Sequence, residues 1–203
     1  MKFFYVAALT GRSGTGKSLA SVYLSKKGIP VIDGDDVARE VVVPPSKCLN
    51  ELVKEFSDEI LSKDGTLDRK ALADISFGDR RKKEMLDRIT HPYIIESILE
   101  KFEMLHKEGY KYCVVEAAAL IESGLYANCD KIVLITSSRD NQISRIIRRD
   151  GISAQQAEMR IDAQVSDETI MQLADYVIEN SGTQEEFHNK LDELINKFEE
   201  WFS

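Results

Sequence analysis

Gly11-Arg12-Ser13-Gly14-Thr15-Gly16-Lys17-Ser18 follows directly on a short apolar run at residues 3–9 and opens an amphipathic stretch that reaches about Lys27. The segment fits the pattern G-x-x-x-x-G-K-[ST], and each residue type in it has a chemical reason. Glycines let successive backbone N–H groups turn toward phosphate oxygens with no side chain in the way. Lys17 places a positive charge on the β and γ phosphates, and the Ser18 hydroxyl can ligate Mg²⁺. The helix that follows aims the positive end of its dipole at the anion. A glycine-rich turn of no consequence would not account for Lys17 and Ser18 at a helix start. The expectation is an ATP and Mg²⁺ site built from Gly11, Arg12, Ser13, Gly14, Thr15, Gly16, Lys17 and Ser18.

Outward from this loop, short apolar runs alternate with amphipathic stretches, the pattern of a parallel α/β sheet. Strands are expected at residues 3–9, 30–33, 112–116, 131–136 and 176–179, each short and rich in Val and Ile as strands covered on both faces should be. The first helix takes an apolar face from Leu19, Val22 and Tyr23, with Gly28 behind it as a C-terminal cap. The interval between the second and third strands is too long for a simple crossover and reads as helices. Pro44 and Pro45 break the first of these. Residues 80–89 form another, stopped near His91-Pro92, and residues 93–107 a long amphipathic one ending before Gly109. Residues 139–165 read as a charged helical hairpin, with Ser153 and Gln156 as a capping box. Thr183 and Glu186 form a second box, opening a last helix that buries Phe187, Leu191, Leu194, Ile195 and Phe198. The fold class expected is α/β: a P-loop NTPase three-layer sandwich with a parallel five-stranded sheet. Residues 1–35 and 110–203 form the nucleotide-binding core, with a lid at about 139–165, and residues 36–109 an inserted helical domain.

Bulk properties narrow the partners. The net charge of −8, with acidic and basic residues mixed along the chain, argues against nucleic acid, whose phosphate backbone requires a basic face. Cys48, Cys113 and Cys129 are odd in number and lack metal-ligand spacing, which fits a reduced cytoplasmic setting. The N-terminal MKFFYVAALT has one basic residue and a short apolar run without a small-residue cleavage pattern, so it is expected to be a buried strand rather than a signal peptide. No run reaches the roughly 18 apolar residues that a membrane span requires, and a monomer or weak homo-oligomer is expected.

Several residues are candidates for chemistry by position. Asp33 and Asp35 lie two apart at a strand end, which puts both side chains on one side while the strand continues. Ligands in open α/β sheets bind beyond the carboxyl ends of the strands. A carboxylate there can accept a hydroxyl proton or join a metal shell, although Asp35 or Asp36 would also serve as a helix cap. Glu116 ends the third strand and is placed to hold Mg²⁺ through water. On a helix Arg145 and Arg149 lie within about 40° of each other, an edge able to clamp phosphates, with Gln142 beside them and Ile143, Ile146 and Ile147 on the inward flank. Arg148 points elsewhere. Arg80-Arg81-Lys82-Lys83 reads as a solvated helix face or as an attractor of an anionic acceptor.

Motifs taken in order carry a family resemblance. Leu9-Thr10-Gly11 through Ser18 sits where the dephospho-CoA kinase family has L-T-G-G-x-G-S-G-K-S, and Val31-Ile32-Asp33-Gly34-Asp35, followed by Ala38-Arg39, resembles its V-I-D-A-D. Asp64-Gly65-Thr66-Leu67-Asp68-Arg69-Lys70-Ala71-Leu72 is similar to D-G-x-L-D-R-x-x-L, with Phe77 and His91-Pro92 in place after it. Gln142, Arg145, Arg149-Asp150, Ser153, Arg160-Ile161 and Gln164 track the lid pattern. Ala174-Asp175-Tyr176-Val177-Ile178-Glu179-Asn180 resembles A-D-Y-V-I-x-N. The chain departs from the family at Arg12, where glycine is usual, and at Leu19, where threonine is usual. Gly34 stands where alanine or cysteine is common, and Glu116-Ala117-Ala118-Ala119-Leu120-Ile121-Glu122 replaces D-V-P-L-L-F-E.

The resemblance implies a kinase of the nucleoside-monophosphate-kinase type. It would carry the terminal phosphate of ATP to the 3′-hydroxyl of the dephospho-CoA ribose, the last step of coenzyme A biosynthesis. It implies catalytic roles for Asp33, Lys17 and Arg145, nucleotide contacts at Arg149 and Asn180, and acceptor contacts at Asp33 and Asp35 of the core and at Arg39, Arg69 and His91 of the inserted domain. His91-Pro92 equally reads as a plain helix stop. Another small-molecule P-loop kinase, acting on a nucleotide or on shikimate, is the nearest alternative, and the D-G-x-L-D-R and H-P elements speak against it. A nucleotide-binding module without catalysis, suggested by Ala117-Ala118-Ala119, is the alternative of a different class; Asp33, Lys17 and Arg145 speak against that.

Overall fold

The structure is a computed structural model that describes residues 4–77 and 79–203. Phe3, expected to open the first strand, and the side chain of Phe77 lie outside the described residues. The strands are β1 (Tyr5–Thr10), β2 (Val31–Asp33), β3 (Tyr112–Glu116), β4 (Lys131–Thr136) and β5 (Tyr176–Glu179). They form one five-stranded sheet in the order β2-β3-β1-β4-β5, and every pairing is parallel. Val6, Ala7, Ala8 and Leu9 of β1 are all buried, as are Ile132, Val133, Leu134 and Ile135 of β4. This explains the continuous apolar runs, since a parallel strand covered on both faces has no side to leave polar.

By its internal contacts the chain divides into two compact units, Met1–Asp33 with Phe102–Ser203, and Gly34–Lys101. The first contains the sheet. On one sheet face Ala7, Leu9, Val114, Val133, Ile135 and Ile178 pack against α1 (Lys17–Lys26) and α9 (Gln184–Trp201). The helix α9 supplies Phe187, Leu191, Leu194 and Phe198, all buried, with Ile195 half-buried against them. Burying each such side chain is worth about 1.5–3 kcal/mol. Its N-terminus carries the Thr183–Glu186 capping box, each residue bonding the other's backbone.

The buried face of α1 differs from the expected one. Leu19 and Val22 are exposed, while Ala20, Ser21 and Leu24 are buried and Tyr23 packs at the edge of the core. The helix leaves the phosphate loop close to the sheet, and small residues at positions 20 and 21 let its backbone approach. Gly28, in the left-handed region, receives the chain as expected, with its N–H on the Ser25 carbonyl.

The second unit is helical: α2 (Gly34–Glu40), α3 (Lys47–Phe56), α4 (Arg69–Phe77) and the larger part of α5 (Arg80–Lys107). Its own core contains Val42, Cys48, Leu49, Leu52, Phe56, Ile60, Leu72 and Ile89. The D-G-x-L-D-R segment is a turn followed by a cap. Asp64 accepts the Thr66 N–H at 3.1 Å, and Asp68 accepts the N–H groups of Lys70 and Ala71 at 3.0 Å each to open α4.

Two local expectations fail here. The helix expected to stop at His91-Pro92 runs unbroken through Pro92. A proline inside a helix removes one hydrogen bond and crowds one carbonyl, a local penalty of about 3 kcal/mol. Met85, Leu86 and Ile89 before it and Tyr93 after it all pack in the same core, which outweighs that local cost. The strand β2 also ends at Asp33 and α2 opens at Gly34, so Asp35 and Asp36 stand in the first helical turn, where a carboxylate suits the helix dipole. The alternation that would have aligned Asp33 with Asp35 therefore does not apply.

Candidate functional site

The site is built at the carboxyl end of β1. The loop glycines are required by packing as well as by backbone angle. A Cβ on Gly14 (φ 80°) would lie 2.6 Å from the Gln142 carbonyl oxygen, and one on Gly16 (φ 105°) would collide with the side-chain amide of Asn180. Within the loop, Thr15 Oγ1 donates to the Arg12 carbonyl at 2.9 Å. Lys17 Nζ donates to the Gly11 carbonyl at 2.8 Å and to that of Arg12 at 3.3 Å.

Beneath the loop lies a carboxylate. Glu116 ends β3, in register with Leu9 of β1 on one side and with Asp33 of β2 on the other. Its Oε1 accepts from Ser18 Oγ at 3.1 Å and its Oε2 from Ser21 Oγ at 2.5 Å. Burial pushes the Glu116 carboxyl above the usual carboxylate range; the Ser21 bond and the Lys17 charge pull it back, while the Asp33 charge adds to the rise. Asp33 lines an open depression with Ser21, Ser25, Lys26 and Val31.

These oxygens suit Mg²⁺, a hard cation that takes one or two protein oxygens and completes its shell with water and substrate phosphates. Ser18 would supply the hydroxyl, and Glu116 the charge that orients it. The longer glutamate in place of the family's aspartate is accommodated, because both of its oxygens find serine donors.

The segment expected to form a lid holds α6 (Arg139–Asp150) and α7 (Ala154–Asp162), followed by the short α8 (Asp167–Met171). Arg145 reaches from α6 to the loop. Its Nη1 donates to the carbonyls of Gly14 at 3.1 Å and Thr15 at 3.3 Å and to Ser137 Oγ at 3.1 Å, and its Nη2 to the Asn180 carbonyl at 3.0 Å. Burial, and secondarily the Arg148 charge, lowers the Arg145 pKa. Asn180 itself is buried and donates Nδ2 to the Thr15 carbonyl at 2.7 Å, joining the end of β5 to the loop.

The two-arginine edge is not a matched pair. Arg149 makes a bidentate pair with Asp150 at 2.7 and 2.9 Å, and Arg160 of α7 bonds the same carboxylate. Ile146 is fully buried, but Ile147 is exposed and lines a surface depression with Arg148. The buried stripe of α6 is narrower than its spacing suggested, because the small core between α6 and α7 takes only Ile146 from it, with Ile143 at its edge, against Ala157 and Ile161.

Of the acceptor-side candidates, Asp33 ends β2 in the sheet-containing unit, and Asp35, Arg39, Arg69 and His91 lie in the helical unit. Arg39 pairs with Asp36 at 2.5 Å, and Arg69 Nη2 donates to the Arg39 carbonyl at 3.3 Å. His91 Nε2 lies 3.8 Å from Asp87, which lines a cavity of about 270 Å³ together with Arg69, Leu72, Ser76 and Lys83. In the basic run, Arg80 is exposed and pairs with Glu84 at 2.8 Å. Asp35 is exposed.

Three contributors escaped the sequence reading: Ser21, which holds Glu116; Ser137, which holds Arg145; and Asp167, whose Oδ1 is buried without a hydrogen bond. Only Ser21 left a trace, as a polar residue one turn beyond Lys17.

Comparison with known proteins bears on the family and the fold. A family model described as dephospho-CoA kinase matches residues 5–186. A dephospho-CoA kinase from Shouchella clausii is 37% identical over 93% of this chain and 96% of its own length. The structure of a dephospho-CoA kinase from Campylobacter jejuni superposes with a TM-score of 0.73 at 28% identity, covering 96% of this chain and 97% of that one. A shikimate kinase from Acinetobacter baumannii, at 15% identity and a TM-score of 0.54 over 96% of this chain and 94% of that one, shares the fold alone.

Proposed function

The chain belongs to the dephospho-CoA kinase family, and from that premise we propose that its site carries the γ-phosphate of ATP to the 3′-hydroxyl of the dephospho-CoA ribose, giving CoA and ADP. The observation that carries the reading is the bond from Ser18, in the first turn of α1 after the phosphate loop, to Glu116 at the carboxyl end of β3, with Asp33 in register beside it at the end of β2.

Phosphoryl transfer asks little covalent chemistry of a protein; it needs positioning and charge neutralisation. Loop N–H groups and the N-terminus of α1 orient the phosphates. Lys17 exchanges its carbonyl partners for phosphate oxygens and follows the charge that develops on them. Mg²⁺, held by Ser18 and through water by Glu116, would supply the Lewis acid that neutralises the β and γ oxygens. Asp33 takes the hydroxyl proton. Arg145 keeps the loop in its phosphate-binding shape through the Gly14 and Thr15 carbonyls. Arg39, Arg69 and His91 of the helical unit are assigned to the acceptor, Arg149 and Asn180 to the nucleotide. A reduced cytoplasmic setting and a monomer or weak homo-oligomer belong to this reading; no helix among the described residues is long and apolar enough to cross a membrane.

The test is an ADP-release assay with ATP and Mg²⁺ across dephospho-CoA, shikimate, gluconate and nucleoside monophosphates. Turnover with dephospho-CoA alone is expected. Preferred turnover of another acceptor would overturn the substrate assignment, and ATP binding without turnover of any acceptor would overturn catalysis.

A further inference from the structure

Arg12 is a loop residue whose side chain faces away from the loop. Its guanidinium is largely buried, and Nη2 donates to the Ile161 carbonyl at 2.5 Å, with the Asp162 carboxylate 3.8 Å away. Ile161 and Asp162 form the last turn of α7, where the carbonyls carry the negative end of the helix dipole and lack helical partners. A cation is well placed there. Asp162 is itself fixed, by a bidentate bond from Arg139 at 2.8 and 2.9 Å.

The next loop residue makes a second link. The Ser13 N–H, one of the backbone groups that a phosphate loop offers to an anion, donates to Gln164 Oε1 at 2.8 Å. Gln164 in turn donates its backbone N–H to the Ile161 carbonyl at 3.2 Å, the same oxygen that Arg12 holds. The hydrogen bonds therefore close a ring: Arg12 to Ile161, Ile161 to Gln164, Gln164 to Ser13, and Ser13 back to Arg12 through the chain. Asp167, just beyond, feels both the Arg12 and the Lys17 charges. On the other side of the ring, Lys17 and Thr15 both hold the Arg12 carbonyl.

We propose that Arg12 is a positioning residue for the nucleotide reaction: it anchors the end of lid helix α7 to the phosphate loop, so that occupation of the Ser13 N–H by a phosphate oxygen is transmitted to the lid through Ile161 and Gln164. A phosphate that takes the Ser13 N–H displaces Gln164 Oε1. The Arg12 anchor keeps the lid segment attached while that exchange occurs. Without Arg12 the loop still binds phosphate, but the lid no longer responds to it.

This inference rests on the phosphate-loop reading and is independent of which acceptor is used, so its test omits the acceptor. Hydrogen exchange is followed in wild type, Arg12→Met and Arg12→Lys, with and without a non-hydrolysable ATP analogue and Mg²⁺. In wild type the analogue is expected to change exchange both in residues 11–18 and in residues 154–167. In Arg12→Met the loop response remains at higher analogue concentration, the response of 154–167 is lost, and the analogue Kd rises about tenfold, within the ordinary range of a coupling between sites. Arg12→Lys, which keeps the charge and a single donor nitrogen in place of the guanidinium fork, recovers part of the lid response. A full lid response in Arg12→Met, or tighter analogue binding, would overturn the proposal. If Arg12→Met fails to fold, Asp162→Asn decides: its side chain is exposed, a weakened lid response supports the anchor, and an unchanged one refutes it.

Discussion

Ser18 Oγ donates to Glu116 Oε1 at 3.1 Å, joining the first turn of the helix after the phosphate loop to the end of strand β3, which lies between β2 and β1. The bond spans 98 residues of sequence and fixes the hydroxyl that a magnesium ion would use.

A first prediction follows from that bond. Ser18→Ala removes the ligand, and Glu116→Gln keeps the size but removes the charge that orients it. Each should raise the Mg²⁺ concentration that half-saturates turnover, roughly 10- to 100-fold, as loss of an orienting partner typically does. Mg²⁺ titration of turnover makes the comparison, and an unchanged midpoint in both variants would remove this pair from the metal site.

The arginines of α6 give a graded prediction. Arg145 makes four hydrogen bonds to the loop and its surroundings, Arg149 is paired with Asp150, and Arg148 lines only a surface depression. Arg145→Ala should slow turnover by about 10- to 100-fold, the range for losing bonds to a charged donor, and lower the melting temperature as well. Arg149→Ala should cost less, and Arg148→Ala almost nothing. Equal losses at all three positions would mean that the helix presents no particular face to the loop.

What was legible in the sequence, and what was not, divides along physical lines. A parallel strand buried on both faces writes itself as an unbroken apolar run, so β3 and β4 agree with the reading to the residue; the edge strand β5 agrees as well, although only Ile178 in it is buried. The phosphate loop is legible because its geometry restricts the residue types so strongly. The continuity of α5 was hidden, because a local rule about Pro92 was outweighed by packing on both its sides. The buried face of α1 was missed because Ala20 and Ser21 bury by closeness rather than by apolar bulk. The contacts that tie the site together, such as Gln164 with Ser13 and Asn180 with Thr15, join residues more than 150 positions apart and leave no periodic mark.

Cysteine chemistry offers an independent check on the core. Burial pushes the Cys113 thiol up to about 12 and the Cys48 thiol up to about 11, with minor help from Cys129 and Glu51 respectively. The thiolate is the reactive form. At pH 8 iodoacetamide should therefore leave both unmodified in the native protein and label both in denaturant. Rapid native labelling of Cys113 would mean that the sheet opens far more readily than its packing implies.

Assignment of the helical unit to the acceptor is checked by hydrogen exchange. Dephospho-CoA should protect amides within Gly34–Lys101, near Arg39, Arg69 and His91, whereas ATP with Mg²⁺ should protect residues 11–18. Protection by dephospho-CoA confined to the sheet-containing unit would overturn that assignment.

The last prediction concerns Asp33. A ribose hydroxyl is a poor nucleophile at neutral pH, so a base should assist as charge develops on its oxygen. Asp33 ends β2, two strands from the phosphate loop with β3 between, and stands in register with Glu116, the residue that holds Ser18. It therefore borders the site of the metal without being the residue that orients Ser18. It also precedes the first turn of α2, so a purely structural role in starting that helix is the alternative. Asp33→Asn separates the cases, because asparagine is an equally good helix cap but accepts no proton. If Asp33 is the base, turnover should fall by about 10²–10⁴-fold, the usual cost of losing a general base, with ATP affinity and melting temperature nearly unchanged. Near-normal turnover would make Asp33 a cap, and positioning with Mg²⁺ would then suffice for the chemistry. Loss of ATP–Mg²⁺ binding together with turnover would instead move Asp33 into the metal shell beside Glu116.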